Sequence, residues 1–98
     1  MQTHKLERSF DGKGEVKGDV FECVDERPSG YMFKRTSEHG DVCYEVFAKK
    51  TVPVCLDFDN RVYSDTEFKE VYPKSKDFGV WAWCFRDHDK AVKKLETL

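Results

Sequence analysis

KDFGVWAWCFRDHDKAVKKL, residues 76–95, is the stretch on which the fold turns. In its first half Trp81, Trp83 and Phe85 recur at every second position. That is the period of a strand, whose side chains alternate between two faces, so Val80, Ala82 and Cys84 share the other side. The strand is expected over 78–86. In the second half the period changes. Ala91, Val92, Leu95 and Leu98 fall on one helical stripe, with Lys90, Lys93, Lys94 and Glu96 off it. Asp87 stands at the junction, where its carboxylate can accept from first-turn amides, and Asp89 suits the positive end of the helix dipole. A helix of about twelve residues is marginal alone, so it must lie on a sheet. Its apolar stripe is small and leaves volume for bulky rings. Trp81, Trp83 and Phe85 are therefore predicted to face a core beneath the helix. The rival is an exposed aromatic patch, which would make a binding or dimer surface.

Upstream, Gly12, Gly14 and Gly18 suggest a turn or bulge feeding a first strand near 17–25. RPSG (27–30) and EHGD (38–41) read as turns around YMFKRTS, and VCYEVFAKK follows as a third strand. Short turns between alternating runs imply an antiparallel meander. Glu22, Lys34 and Glu45 alternate with Phe21, Tyr31, Phe33, Tyr44 and Val46, so one sheet face is expected to be solvated. TVPVCLDFDN (51–60) is β-rich, but Pro53 points to an edge strand or an irregular crossing. SDTEFKEVYP (64–73) is ambiguous. Ser64 and Glu67 fit a capping box, with Phe68, Val71 and Tyr72 at helical spacing, and a short strand fits as well. Residues 1–9 are polar and expected to fray. The reading is one α+β domain over 1–98: an antiparallel sheet of about four or five strands, with the C-terminal α-helix packed on one face.

Charge excludes several roles. Charged residues make up 37% of the 98, with 17 basic and 19 acidic. Residues 1–50 hold nine basic and ten acidic residues, and 51–98 hold eight and nine, so neither half is a basic arm. This disfavours direct nucleic-acid binding. No apolar run approaches the ~20 residues a bilayer requires. The segment MQTHKLERSF has no apolar stretch of signal type, so a cytoplasmic setting is expected. In a reducing compartment Cys23, Cys43, Cys55 and Cys84 read as free thiols buried in strands. None forms a CxxC pair, so a zinc site would have to be assembled from separate strands. No cofactor is implied, and no metal is expected to be required for folding.

Several motifs tempt a catalytic reading. VPVCLDFDNRVYSD resembles the first motif of haloacid-dehalogenase-like phosphatases, with Asp57 as nucleophile and Asp59 as general acid. That chemistry also needs a lysine and further carboxylates on later strands of a parallel sheet. Only 39 residues follow Asp59, without an alternating strand–helix series, and Arg61 stands where that motif has a small residue. As a calcium loop the stretch fails: Val62 occupies the glycine position and Phe68 the place of the bidentate glutamate. DFG at 77–79 lacks any kinase partner motif. GKGEVKG has its last glycine one place late for a dinucleotide loop. His4, His39 and His88 stand apart from any nucleophile in sequence. The chain is not read as an enzyme.

The order F.GKGEVKG..F, GYMFK, CYEVFAKK, YPKSKDFGVWAWCF and KAVKKL resembles a group of small uncharacterised proteins of bacteriophages and other bacterial mobile elements. The most specific parts are Tyr44-Glu45-Val46-Phe47 and the run from Tyr72-Pro73 to Trp81-Ala82-Trp83. The resemblance covers most of residues 9–98 and has no equivalent for VCLDFDN. It implies a mobile-element accessory protein in the host-cell cytoplasm, and no activity. Such proteins often bind a host protein or defence complex as stoichiometric inhibitors, anti-CRISPR proteins among them. A nucleic-acid-binding accessory protein, a small phosphohydrolase and a homodimer are the alternatives. The expected partner surface is 57–77, where Asp57, Asp59, Tyr63, Asp65, Glu67, Glu70 and Tyr72 combine acidic and aromatic groups, with Asp77 at its end.

Overall fold

Period-2 alternation puts strands close to where the backbone has them. A computed structural model describes residues 2–98. Their strands are β1 (Gln2–His4), β2 (Ser9–Asp11), β3 (Val20–Arg27), β4 (Gly30–Thr36), β5 (Val42–Ala48), β6 (Thr51–Asp57), β7 (Val62–Glu70) and β8 (Ala82–Phe85). One α-helix, α1 (His88–Glu96), follows, and single 3₁₀ turns stand at Gly14–Val16 and Ser75–Asp77. The chain divides into two compact units, each with its own sheet. One comprises the N-terminal segment through Leu6 with Lys49–Tyr72, the other Glu7–Ala48 with Pro73–Leu98.

The second unit is the α+β body expected. Its antiparallel sheet has the order β2-β3-β4-β5-β8, and α1 packs on one face. Asp87 caps the helix by accepting from the amides of Asp89 (2.9 Å) and Lys90 (3.4 Å). Ala91 and Leu95 lie against Met32 and Val46, all four buried, with Tyr44, Phe85, Val92 and Leu98 at the margin. Gly30 opens β4 beneath the helix end. A Cβ there would sit 2.7 Å from Leu98 Cδ1 and 2.8 Å from the Phe47 carbonyl, so the close approach needs glycine.

The register corrects the expectation of a wet face. Met32 pairs with Val46 and Phe33 with Glu45, so Tyr44 and Val46 share the helix side with Met32, not with Tyr31 and Phe33. The opposite side carries its own aromatic cluster. Phe10 stacks on Phe21 at 4.9 Å, Phe33 on Phe47 at 5.7 Å, and Tyr31 meets both Phe33 and Phe47 at 5.8 Å. Both faces are thus apolar, and Glu45 is buried. The strand expected over 78–86 is shorter. Trp83 and Phe85 face the helix, opposite Val46 and Tyr44. Trp81 precedes the strand in a turn and stands edge-on to Phe47 at 6.2 Å, with the other cluster. The three rings therefore do not share a side.

The first unit is a three-stranded sheet of order β1-β7-β6. β6, with Pro53, is an edge strand, the first of the two settings the proline allowed. The N-terminal residues expected to fray are partly paired: β1 runs parallel to β7, and β2 pairs with β3 in the other unit. Ser64–Glu67 turns out to be strand. Its cap-like chemistry is real, since Ser64 Oγ accepts from the amides of Thr66 (3.2 Å) and Glu67 (2.9 Å). It serves an irregularity: Pro53 faces Phe68 and Cys55 faces Tyr63, so one residue of β6 spans four of β7. Pairing on either side of the irregularity holds the chain extended: Val62, Tyr63, Phe68, Lys69 and Glu70 pair with β6, and Glu67, Phe68 and Lys69 pair with β1.

Candidate functional site

The residues expected to meet a partner all fall on or beside the β6–β7 hairpin. Asp57 ends β6, Asp59 lies in the loop, Tyr63, Asp65, Glu67 and Glu70 are on β7, and Tyr72 follows it. Asp77, outside this group, forms the 3₁₀ turn and accepts from the Lys74 amide at 2.9 Å. Asp57, Asp59, Tyr63 and Asp65 are exposed, and Glu67, Glu70 and Tyr72 are half-buried.

Two of the carboxylates, those of Asp57 and Glu70, serve the fold by accepting from backbone amides. Asp57 accepts from the Asp59 amide (3.1 Å), the Asn60 amide (3.3 Å) and the Asn60 side chain (2.8 Å). The Asn60 side-chain bond, then the backbone bonds, hold Asp57 below the usual aspartate range. These bonds close a loop in which Arg61 takes φ 53°, the left-handed region. Glu70 accepts from the Leu6 amide at 3.1 Å, and Glu67 lies 4.0 Å from His4 Nε2. The carboxylates of Asp59 and Asp65 make no hydrogen bond or ion pair among the described residues. Asp57 thus works as a turn acceptor at the end of an antiparallel edge strand. Among the described residues, no third metal-ligating side chain clusters with Asp57 and Asp59. This is not the setting the phosphatase motif requires.

Sequence reasoning named Tyr63 on this hairpin but missed Leu56, Phe58 and Val62 beside it. Phe58 is 85% exposed, Leu56 62%, Tyr63 55% and Val62 46%. Exposed single apolar residues are ordinary, but four within eight positions are not. The signal was legible in LDFDNRVY, whose apolar residues flank the aspartates.

A second polar cluster lies on the sheet of the other unit, on the side away from α1. Arg35 bonds Asp19 Oδ2 at 2.6 Å and Glu45 Oε2 at 3.3 Å. Burial pulls the Arg35 pKa down, but the bond to Asp19 and the charges of Glu45 and Asp19 outweigh it, and the net shift is upward. Cys43 and Cys84 stand beside Glu45, with ligand atoms of all three within 4.8 Å of one another. Burial, then the contact with Cys84, pushes the Cys43 thiol up to about 12. A cleft of about 410 Å³ opens here, lined by Asp19, Arg35, Asp41, Cys43, Cys84 and Arg86 among others. Among the described residues no helix is long and apolar enough to cross a membrane. Comparison of the chain with protein-family models, curated proteins and solved structures finds no match.

Proposed function

We propose that the protein acts by binding another protein through the β6–β7 hairpin, as a stoichiometric inhibitor or modulator of a host protein or defence complex. The observation that carries this reading is the exposure of Phe58, Leu56, Val62 and Tyr63 on one hairpin. Aromatic and aliphatic side chains at a projecting turn are the groups that fill a partner's pocket. Asp59 and Asp65 beside them have no partner within the described chain, so a pocket with a basic rim complements the hairpin. The Asp57 turn holds the presented conformation before contact, which lowers the ordering cost of binding. The resemblance to mobile-element proteins supplies the host-side setting.

The test compares the tagged protein with Phe58→Ser and with Asp59→Lys/Asp65→Lys as bait in host extract. A protein retained by the wild type and lost with both variants, more weakly held as salt rises, fits the proposal. Retention unchanged by both variants would sink it. Self-association removed by Phe58→Ser would assign the hairpin to a dimer instead. Filter binding of nucleic acid at low and physiological salt checks the accessory-protein alternative.

A further inference from the structure

Cys43 and Glu45 sit on β5, and Cys84 on β8. Glu45 pairs directly with Cys84, and Cys43 is two residues from Glu45, so all three side chains project to one side of the sheet. One ligand atom from each lies within 4.8 Å of the other two. Around tetrahedral zinc, with Zn–S of ~2.3 Å and Zn–O of ~2.1 Å, ligand atoms stand roughly 3.5–4 Å apart. Side-chain rotation of about 1 Å closes the difference, without backbone movement.

We propose that Cys43, Glu45 and Cys84 form a binding site for a thiophilic divalent cation of the zinc class, with the fourth coordination position turned to the cleft. Two sulfur donors select this class over magnesium or calcium, which take oxygen. Each thiol releases its proton to solvent as its sulfur binds the metal. The carboxylate is already oriented, because Arg35 bonds Glu45 and Asp19 in turn holds Arg35. Support of this kind is what ligating carboxylates have in established sites. The Arg35 charge does not oppose the cation at full strength, since Asp19 compensates it at 2.6 Å. Cys84 is exposed and lines the cleft, which supplies an entry path and room for water or an exogenous ligand. Three protein ligands and one open position define a site that can exchange its fourth ligand.

Cobalt(II) is the probe, added to the full chain kept reduced with a phosphine. One equivalent is expected to bind with sulfur-to-cobalt charge-transfer absorption and the intense visible bands of tetrahedral cobalt, both removed by zinc. Cys84→Ser replaces an exposed side chain and should leave the circular dichroism intact. It should cut the charge-transfer intensity and weaken binding beyond the roughly 10–100-fold that loss of a supporting contact costs. Glu45→Gln should weaken binding with the sulfur bands retained. Cys55→Ser, at the exposed thiol of the other unit, should change nothing. The proposal is overturned if the reduced wild type shows no sulfur-to-cobalt absorption, or if Cys84→Ser leaves intensity and affinity unchanged. It is overturned equally if Cys55→Ser lowers them as much as Cys84→Ser.

Discussion

Replacing Arg35 by Met tests the largest difference between pattern and structure. By alternation Glu45 reads as a solvated strand residue, so losing a neighbouring cation would cost almost nothing. In the structure the Glu45 side chain is only 4% exposed and Arg35 lies on it at 3.3 Å. Arg35→Met removes the guanidinium that both carboxylates bond, that of Asp19, 12% exposed, as well as that of Glu45. Breaking a buried pair by removing one partner costs ~3–5 kcal/mol. Arg35 itself is 31% exposed, so water screens part of the loss and ~3 kcal/mol is the expected value. For a unit of this size that lowers the unfolding midpoint by ~12–24 °C. Both tryptophans, Trp81 and Trp83, belong to this unit, so their fluorescence follows its unfolding selectively. The measurement is made with a chelator present, so that no cation contributes. Arg35→Met/Glu45→Leu removes one of the two stranded carboxylates and should recover part of the loss, and the remainder belongs to Asp19, which still lacks the guanidinium it bonds at 2.6 Å. A single-variant loss below ~1 kcal/mol would refute the buried-pair reasoning and restore the solvated reading.

Leu95→Ala should cost ~2–5 kcal/mol, read from the urea midpoint of the same fluorescence, because the side chain is buried against Met32 and Val46 under α1. A loss within ~0.5 kcal/mol would place the helix off the sheet. Asp57 titrates below its unfolded value, so its contribution to the hairpin is complete above that value and is lost as pH falls through the lower folded one. The amide resonances of Asp59 and Asn60 should follow this titration and stay flat in Asp57→Ala; a midpoint at or above the ordinary aspartate value counts against the turn. Ellman titration should find four thiols in denatured protein. In the native state the exposed Cys55 and Cys84 should react first, while Cys23 and Cys43, whose pKa values burial raises, lag behind. Four equal rates would contradict the burial pattern.

Much of the second unit was legible because its signals are local. Asp87 followed by a stripe at Ala91, Val92 and Leu95 specifies a capped helix from a dozen residues. RPSG and EHGD mark the two turns that make the meander, and Ser37 Oγ closes the latter by accepting from the amides of His39 and Asp41. On the hairpin the sequence points to the acidic residues and to Tyr63, whereas Leu56, Phe58 and Val62 read as ordinary strand or loop residues, because how far each is exposed is a tertiary fact. Ser64 shows the limit of a motif: its hydroxyl does satisfy amides two and three residues on, but the pairing of Tyr63, Phe68, Lys69 and Glu70 with β6 and of Glu67, Phe68 and Lys69 with β1 makes the surrounding chain a strand.

What escaped was the register between strands. Alternation says which residues share a face within one strand; it is silent on which face of the next strand they meet. Glu45 beside Tyr44 and Val46 looks wet only if those two residues point to the same side as Tyr31 and Phe33. One local clue argued otherwise. Tyr31-Met32-Phe33 is an unbroken apolar run, and all three residues are buried. A strand with only one covered face has no use for apolar residues at consecutive positions, whereas a strand covered on both reads as a continuous run. Taken with the pairing of Phe33 and Glu45, that run requires a buried carboxylate, and a buried carboxylate requires a cation on the same side. Arg35, two residues from Phe33, satisfies it. The same two-sidedness explains Trp81 and Trp83. Trp83 packs under α1 with Lys94 Nζ 3.9 Å from its ring centre, while Trp81, released from the strand by the turn at Gly79, joins Phe47 on the other side. Both rings thus pack on the sheet, on opposite sides of it, and the aromatics more than half exposed are Phe58 and Tyr63 of the β6–β7 hairpin, where the contact is proposed.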